Sequence, residues 1–169
     1  MNVRRDCVSD FWGSDDLDTD LDPLAVWQQE VDELKFTVDL PLIAEPGAIR
    51  AVSARIAKYM AHLAEYRGMV QSISGVAEIE DSHQLRDAIA AIGHELQTSP
   101  SQRVDLKIRM DTLCSLVRLE LEREHEFIEM LSTHLDAPQI NAFSSELQHA
   151  LASQDHSPQT VIEKGAQHD

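Results

Sequence analysis

The chain has 169 residues, of which 43% are hydrophobic, and a formal net charge of −16 at pH 7. This length is typical of one domain with a substantial core. The strong negative charge argues against a general affinity for nucleic acid or anionic membranes. Cys7 and Cys114 stand too far apart to suggest a disulfide or metal framework, so we expect a reduced, cytoplasmic setting. No signal peptide and no membrane-spanning apolar stretch are visible.

Residues 1–21 are predicted to form a flexible acidic tail, because they hold too little apolar surface to offset the entropy of ordering. Aromatic and leucine side chains alternate there with aspartates, as in acidic peptides that dock on basic, partly apolar grooves. These side chains are Phe11, Trp12, Leu17 and Leu21. We interpret the tail as a docking segment for another protein. The alternative is a purely solubilising tail.

The first helix is predicted over residues 23–36. Asp22 followed by Pro23 is a typical N-cap with proline at the first helical position. Apolar residues then recur at helical spacing as far as Leu34. The linker over residues 40–47 carries two prolines and a glycine, which break regular structure.

A long helix is predicted over residues 48–78, because apolar residues alternate there with gaps of three and four. One helix cannot bury such a heptad row by itself, so the row predicts a packing partner along its length. Its positions are Ile49, Val52, Ile56, Tyr59, Leu63, Tyr66, Val70, Ile73 and Ala77.

Three more amphipathic helices are predicted, over residues 82–97, 101–135 and 138–152, and residues 153–169 are expected to form a polar flexible tail. The helix over 101–135 has a second heptad row, which Glu124 interrupts. Its remaining positions are Leu106, Met110, Leu113, Val117, Leu121, Ile128, Leu131 and Leu135.

These elements predict an all-α, bundle-like fold in which residues 22–152 form the helical domain. The two long helices could lie parallel or form an antiparallel hairpin with the shorter helices at its flanks. Antiparallel packing would place the basic first half of the helix over 48–78 beside the glutamates at 120–129. This charge match favours the antiparallel hairpin.

A metal site has one weak candidate. Glu122 and His125 have the Glu-x-x-His spacing that di-metal helical bundles use, although those bundles require further copies and glutamates from other helices. We interpret the pair as part of a solvated face. The eight histidines are scattered and are expected at the surface, Cys114 is expected in the core, and no catalytic motif is present. We therefore predict a non-enzymatic protein without a cofactor.

Four cations form a local basic patch on the first long helix: Arg50, Arg55, Lys58 and Arg67. Phosphates of a nucleic acid could lie along this patch. The interpretation that we prefer is that the glutamates at 120–129 of the facing helix neutralise it.

Residues 26–135 resemble the small helical recombination mediators of T-even-type phages. The matching features are Trp27–Asp32, Lys58 with Tyr59 and Met60, Glu65 with Tyr66, and Val104–Lys107. The resemblance implies an oligomeric factor that helps load a recombinase on single-stranded DNA.

Together these patterns predict an assembly or adaptor protein that forms homo-oligomers through its long helices and binds another protein through its acidic tail. A phage structural or assembly factor, located in the cytoplasm or the virion, fits the length and the helical pattern of this chain. The alternative is an accessory protein of recombination or replication that acts on single-stranded DNA. A metal-binding bundle is the third hypothesis.

Overall fold

The structure is a computed structural model that describes residues 21–41, 45–76, 81–98 and 103–154. These ranges hold helices and no strand, so the predicted all-α fold is confirmed for them. The predicted acidic and polar tails lie almost wholly outside the described residues. The helices are α1 (Pro23–Asp39), α2 (Pro46–Ser74), α3 (Asp81–Thr98), α4 (Arg103–His134) and α5 (Ala137–Gln154).

Helix α1 begins as its sequence predicts. The carboxylate of Asp22 accepts a hydrogen bond of 3.1 Å from the backbone N–H of Leu24, and Pro23 occupies the first helical position. The cap satisfies one of the backbone donors that a helix leaves unpaired at its start. The helix continues to Asp39, three residues past its predicted end.

Helix α2 ends earlier than predicted, at Ser74, because Gly75 adopts the left-handed conformation with φ of 67°. The N–H of Gly75 donates a hydrogen bond of 3.0 Å to the carbonyl of Gln71 and closes the helix. Only glycine adopts this conformation without steric cost. The prediction of a helix that continues through Gly75 to residue 78 was therefore wrong, and Ala77 lies outside the described residues.

Helix α5 follows α4 after only two residues. Asp136 and Gln139 cap its start reciprocally: the N–H of Gln139 donates to the Asp136 carboxylate at 2.9 Å, and the N–H of Asp136 donates to Gln139 Oε1 at 3.1 Å. Such a pair satisfies two backbone donors at once. The bounds of α3, α4 and α5 lie within two residues of their predicted bounds.

Helices α1 to α4 form a four-helix bundle, in which each helix packs on the next and α1 packs on α4. Neighbours run antiparallel. The ring of Trp27 contacts that of Tyr66 and His62 lies 3.4 Å from Glu30, so α1 and α2 run in opposite directions. Helix α5 packs on α2 and α1 and buries Phe143 against Trp27.

The two long helices, α2 and α4, run parallel across the diagonal of the bundle. Near one end, Ser53 of α2 donates to the Gly93 carbonyl of α3, where Glu95 pairs with Arg109 of α4. Fourteen residues further along α2, Arg67 pairs with Glu120 of α4. Both long helices thus advance in the same direction.

The antiparallel hairpin of the two long helices, which the charge pattern favoured, therefore does not form. Exposed ion pairs contribute only about 0.2–1 kcal/mol each, whereas burying one large apolar side chain contributes about 1.5–3 kcal/mol. The apolar faces of α1 and α3 set the arrangement, because each of them covers both long helices.

The core lies along the bundle axis. The α2 heptad row is buried in this core, within a single chain. Ile49, Ile56, Leu63, Tyr66 and Val70 are at most 4% exposed. Val52, Tyr59 and Ile73 are half-buried against the same core. The second row is buried too, with Val117, Leu121, Ile128 and Leu131 among its members. The rows therefore find their packing partners inside the bundle.

Candidate interaction surfaces and the buried ionic cluster

A network of polar side chains joins four helices inside the bundle. Trp27 Nε1 donates a hydrogen bond of 2.7 Å to Glu124 Oε1, and Arg67 Nη2 donates to Glu124 Oε2. The same Arg67 nitrogen donates to Glu120 Oε1 at 2.9 Å, and Arg86 Nε lies 3.4 Å from that oxygen. We call these five residues the core ionic cluster.

The charges of the core ionic cluster balance, with two arginines against two glutamates. Glu120 and Glu124 are each 1% exposed, so the charges lie out of water. Burial raises the pKa of Glu120 above its usual range, although the Arg67 guanidinium opposes the shift. Burial also lowers the pKa of Arg86, and the charge of Arg67 acts in the same direction. Within the described residues no donor reaches Glu120 Oε2.

Aromatic rings surround the tryptophan of this cluster. Trp27 makes edge-to-face contacts with Tyr66, Phe127 and Phe143 at centroid distances of 5.8–6.0 Å. Burial raises the pKa of Tyr66 to about 12, with the charges of Glu30 and Glu65 adding to the shift. The rings exclude water from the Trp27–Glu124 bond, which strengthens it.

The two carboxylates of the core ionic cluster are closed off from solvent, whereas the Arg86 side chain is 18% exposed at the edge of the cluster. We expect its ion pairs and hydrogen bonds to hold the four helices in one register, as a single buried polar residue does in some coiled coils. The sequence pattern did not predict this cluster. Glu124 was recognised only as an interruption of the heptad row, and Arg67 was assigned to the surface patch. The available signal was a pair of glutamates four residues apart on the core side of α4.

The proposed metal pair lies on the surface. Glu122 and His125 are exposed; His125 Nδ1 lies 3.2 Å from Gln28 Oε1 and its Nε2 lies 3.6 Å from Glu129. In the described ranges, no three His, Cys, Asp or Glu side chains converge as metal ligands would. Of the histidines with described side chains, five are exposed and His62 is half-buried. Cys114 is buried, as predicted.

The four cations of the predicted basic patch do not share one surface in the structure. Arg67 belongs to the core ionic cluster, whereas Arg50, Arg55 and Lys58 are exposed. None of these three forms an ion pair with a side chain in the described part of the chain, and Arg55 lies over the ring of Tyr59 at 5.8 Å. The prediction that the glutamates at 120–129 neutralise the whole patch was therefore wrong. Because α2 and α4 run parallel, only Arg67 comes level with Glu120 and Glu124.

A groove of about 520 Å³ runs between α2 and α3. Small and apolar side chains form much of its lining, and a smaller set of charged or polar side chains lies among them. We call it the α2–α3 groove. The apolar lining includes Ile56, Ala57, Met60, Ala61, Ala64, Ile89, Ala90 and Gly93, and the polar lining includes His83, Arg86, Asp87, His94 and Gln97.

A row of exposed apolar side chains follows the side of α4 that faces away from the bundle. Val104, Ile108, Leu119 and Met130 are 37–69% exposed. The last three are spaced by eleven residues, or about three helical turns, so the four lie within about 80° of one another around the helix. We call them the α4 outer row. Phe36 and Leu40 are further exposed apolar residues, near the end of α1.

Of the residues proposed to dock a partner, Phe11, Trp12 and Leu17 lie outside the described residues. Leu21 is half-buried and packs against the core, and its carbonyl accepts a hydrogen bond of 2.9 Å from Ser144 Oγ of α5. Leu21 thus belongs to the bundle, not to a docking segment.

Searches against protein-family models, curated proteins and solved structures found no match to this chain. The resemblance to phage recombination mediators therefore stays a prediction. Among the helices of the described ranges, none has the length and apolarity to cross a membrane.

Proposed function

We propose that this protein is a non-enzymatic helical assembly protein, and that it associates with a second copy of itself through the α4 outer row. The observation that carries the proposal is the exposure of Val104, Ile108, Leu119 and Met130 after both heptad rows have been buried. Large apolar side chains aligned on one helix face are typical of a surface that another helix covers.

The spacing of the row supports a two-fold symmetric, antiparallel contact. Ile108 and Met130 lie eleven residues on either side of Leu119. An axis at Leu119 therefore places Ile108 of one copy against Met130 of the other, and the two leucines against each other. Such an interface uses the same patch on both subunits, as two-fold dimers do.

Charge favours the antiparallel over the parallel direction. Lys107 flanks the row near its start, whereas Glu126 lies within the row near its end and Glu129 flanks it there. Antiparallel packing brings the lysine of one copy towards the glutamates of the other. Parallel packing would place glutamates opposite glutamates, which is destabilising.

The decisive experiment is a measurement of mass in solution by light scattering at micromolar concentration. We expect a dimer for the native chain and a monomer for Leu119→Glu, because the substitution places two carboxylates together at the two-fold axis. Leu151→Glu is the matched control, since Leu151 of α5 is 38% exposed and Leu119 is 44% exposed. A native monomer, or dissociation by both substitutions alike, would contradict the proposal.

A second candidate function is an accessory role on single-stranded DNA, and the exposed cations Arg50, Arg55 and Lys58 favour it. A backbone-binding protein needs cations that are not already paired, and these three have no ionic partner in the described part of the chain.

This candidate predicts binding to a single-stranded oligonucleotide that weakens with salt. Lys58→Glu should reduce both the affinity and the salt dependence. Lys35→Glu, an exposed substitution on α1, is the control for the change in net charge. Equal losses of oligonucleotide affinity in the α2 variant and in the control would argue against a DNA site on α2.

A further inference from the structure

We propose that the acidic segment of residues 10–20 binds in the α2–α3 groove of its own chain. The groove is a concave surface with a mainly apolar lining and has exposed cations beside it on α2, and the segment combines aromatic and acidic side chains. The occupant is thus a part of this protein, and the contact is intramolecular.

The groove offers two kinds of contact side by side. Ala57, Ala61 and Ala90 have short side chains, which leave room above the two helices for an aromatic ring. His94 lines the same groove and offers a ring N–H donor to a carboxylate.

Further positive charge lies beside the groove on α2. Arg50 and Ala57 are seven residues apart, and Lys58 is three residues from Ala61, so both cations lie on or next to the face that carries the alanines. Neither cation has an ionic partner in the described ranges. An anionic occupant of the groove would therefore meet charges that are available to it.

The segment carries both kinds of side chain that these contacts require, acidic and aromatic. Residues 10–20 contain five aspartates and no basic residue. Phe11 and Trp12 stand at the start of the segment and supply two large apolar side chains. Exposing both rings to water is unfavourable, whereas a groove lined by alanine and isoleucine can cover them. Arg86 and Asp87 of the lining carry opposite charges, so the positive charge that the segment would meet comes from Arg50 and Lys58 beside the groove.

The position of Leu21, which follows the segment directly, places the segment within reach of the α2–α3 groove. Leu21 is tied to α5 through Ser144, at the end of the bundle where α1 begins. Trp27 contacts Tyr66 of the antiparallel α2. Leu21 lies six residues before Trp27 and Ala61 lies five residues before Tyr66, so about 17 Å of helix rise separates Leu21 from the level of Ala61. The ten residues from Phe11 to Leu21 can span about 33 Å when extended. That length covers the distance along the bundle and one helix spacing of about 8–10 Å across it.

A nitroxide spin label on Cys7 tests the proposal in the full-length protein. Cys114 is 3% exposed, so a thiol reagent modifies Cys7 selectively, and the mass of the product confirms a single label. We expect the label to broaden the amide NMR signals of Ala57, Ala61 and Ala90. The signals of Ser115 and Leu119 on the outer side of α4 should keep their intensity. Broadening centred on α4, or none beyond α1 and α5, would overturn the proposal.

Two matched substitutions on α2 sharpen the test. Ala61→Glu places a carboxylate in the groove, where it should repel the segment and restore the amide signals of α3. Ala51→Glu introduces the same charge at an exposed position of α2 that does not line the groove, and should leave the broadening unchanged. Equal effects of the two substitutions would contradict binding in the groove.

Mixed samples separate the segment's own groove from that of a second copy. In a mixture of isotope-labelled chains without nitroxide and unlabelled chains with nitroxide, an intramolecular contact gives no broadening. Broadening at the groove in the mixture would instead assign the contact to a neighbouring chain and overturn the proposal. In the sample where every chain carries both labels, Leu119→Glu should leave the broadening of the groove signals unchanged. The test therefore does not depend on the α4 outer row.

Discussion

The indole N–H of Trp27 donates a hydrogen bond of 2.7 Å to Glu124, ninety-seven residues further along the chain. The bond joins the first helix to the middle of the fourth. The same carboxylate accepts a hydrogen bond from Arg67, so one side chain of α4 is bound to both α1 and α2. A one-turn slip of α4 would break both contacts and leave buried polar groups without partners, which is costly.

Removing this carboxylate should destabilise the bundle strongly. Glu124→Ala leaves the Trp27 N–H and one Arg67 contact unsatisfied in the core. Breaking a buried ion pair from one side costs about 3–5 kcal/mol. We expect a loss of that size in the free energy of unfolding, measured by urea denaturation.

Glu146→Ala is the control for Glu124→Ala, because Glu146 is exposed on α5, away from the α4 outer row. Exposed substitutions usually change stability by no more than about 0.5 kcal/mol. A Glu124→Ala protein as stable as the control would show that the core ionic cluster contributes little.

Stability should fall at alkaline pH because of Tyr66. Its pKa is raised to about 12 in the folded protein, against an ordinary value of 10.0. Below pH 10 both states keep the phenol proton. Above it the unfolded chain loses the proton first, so the free energy of unfolding decreases as the pH rises towards 12.

Tyr66→Phe isolates this contribution. Between pH 9 and pH 11 the native protein should lose about 1 kcal/mol more than the variant, from the difference between the two pKa values. Urea denaturation at both pH values measures the difference. Parallel losses in the two proteins would mean that the phenol has the same pKa in both states.

Two glycines of the α2 region should respond to alanine with opposite signs. Gly75 has a φ of 67°, so Gly75→Ala strains the backbone and should reduce stability by about 1 kcal/mol. Gly68 lies inside α2, and a β-carbon added there would have no atom within 4 Å outside its own stretch of helix. Gly68→Ala should therefore increase stability by up to about 1 kcal/mol. Thermal unfolding of both variants checks the signs, and a change in the same direction would be inconsistent with these conformations.

Cys114 should resist alkylation until the bundle opens. The side chain is 3% exposed and burial raises the pKa of its thiol, which lowers the fraction of reactive thiolate. Iodoacetamide followed by peptide mass spectrometry should show modification of Cys114 only in denaturing urea. Rapid modification in native buffer would indicate frequent local opening of α4.

The helices themselves could be predicted from local patterns. The cap formed by Asp22 and Pro23, and the alternating gaps from Ile49 to Ile73, require only the geometry of one helix. The end of α2 was missed because the heptad spacing continues to Ala77, past Gly75. The left-handed conformation of a single glycine outweighed that pattern.

The packing direction and the core ionic cluster depend on contacts between distant elements. The charge pattern favoured the wrong direction because exposed pairs are weak, and the burial of two apolar faces outweighs them. Glu124 could not be recognised as buried because α4 carries several glutamates whose spacing alone does not separate core from surface. Trp27, its partner, was recognised only as an apolar position of α1.

The long separation between Trp27 and Glu124 also has a consequence during synthesis of the chain. A ribosome adds about 5–20 residues per second, so the α1 indole emerges roughly 5 to 20 s before the carboxylate that it binds. During that interval α1 can pair with α2 but not with α4. The nascent protein therefore passes through a helical hairpin with an uncovered aromatic face, which is the stage at which a chaperone would find it.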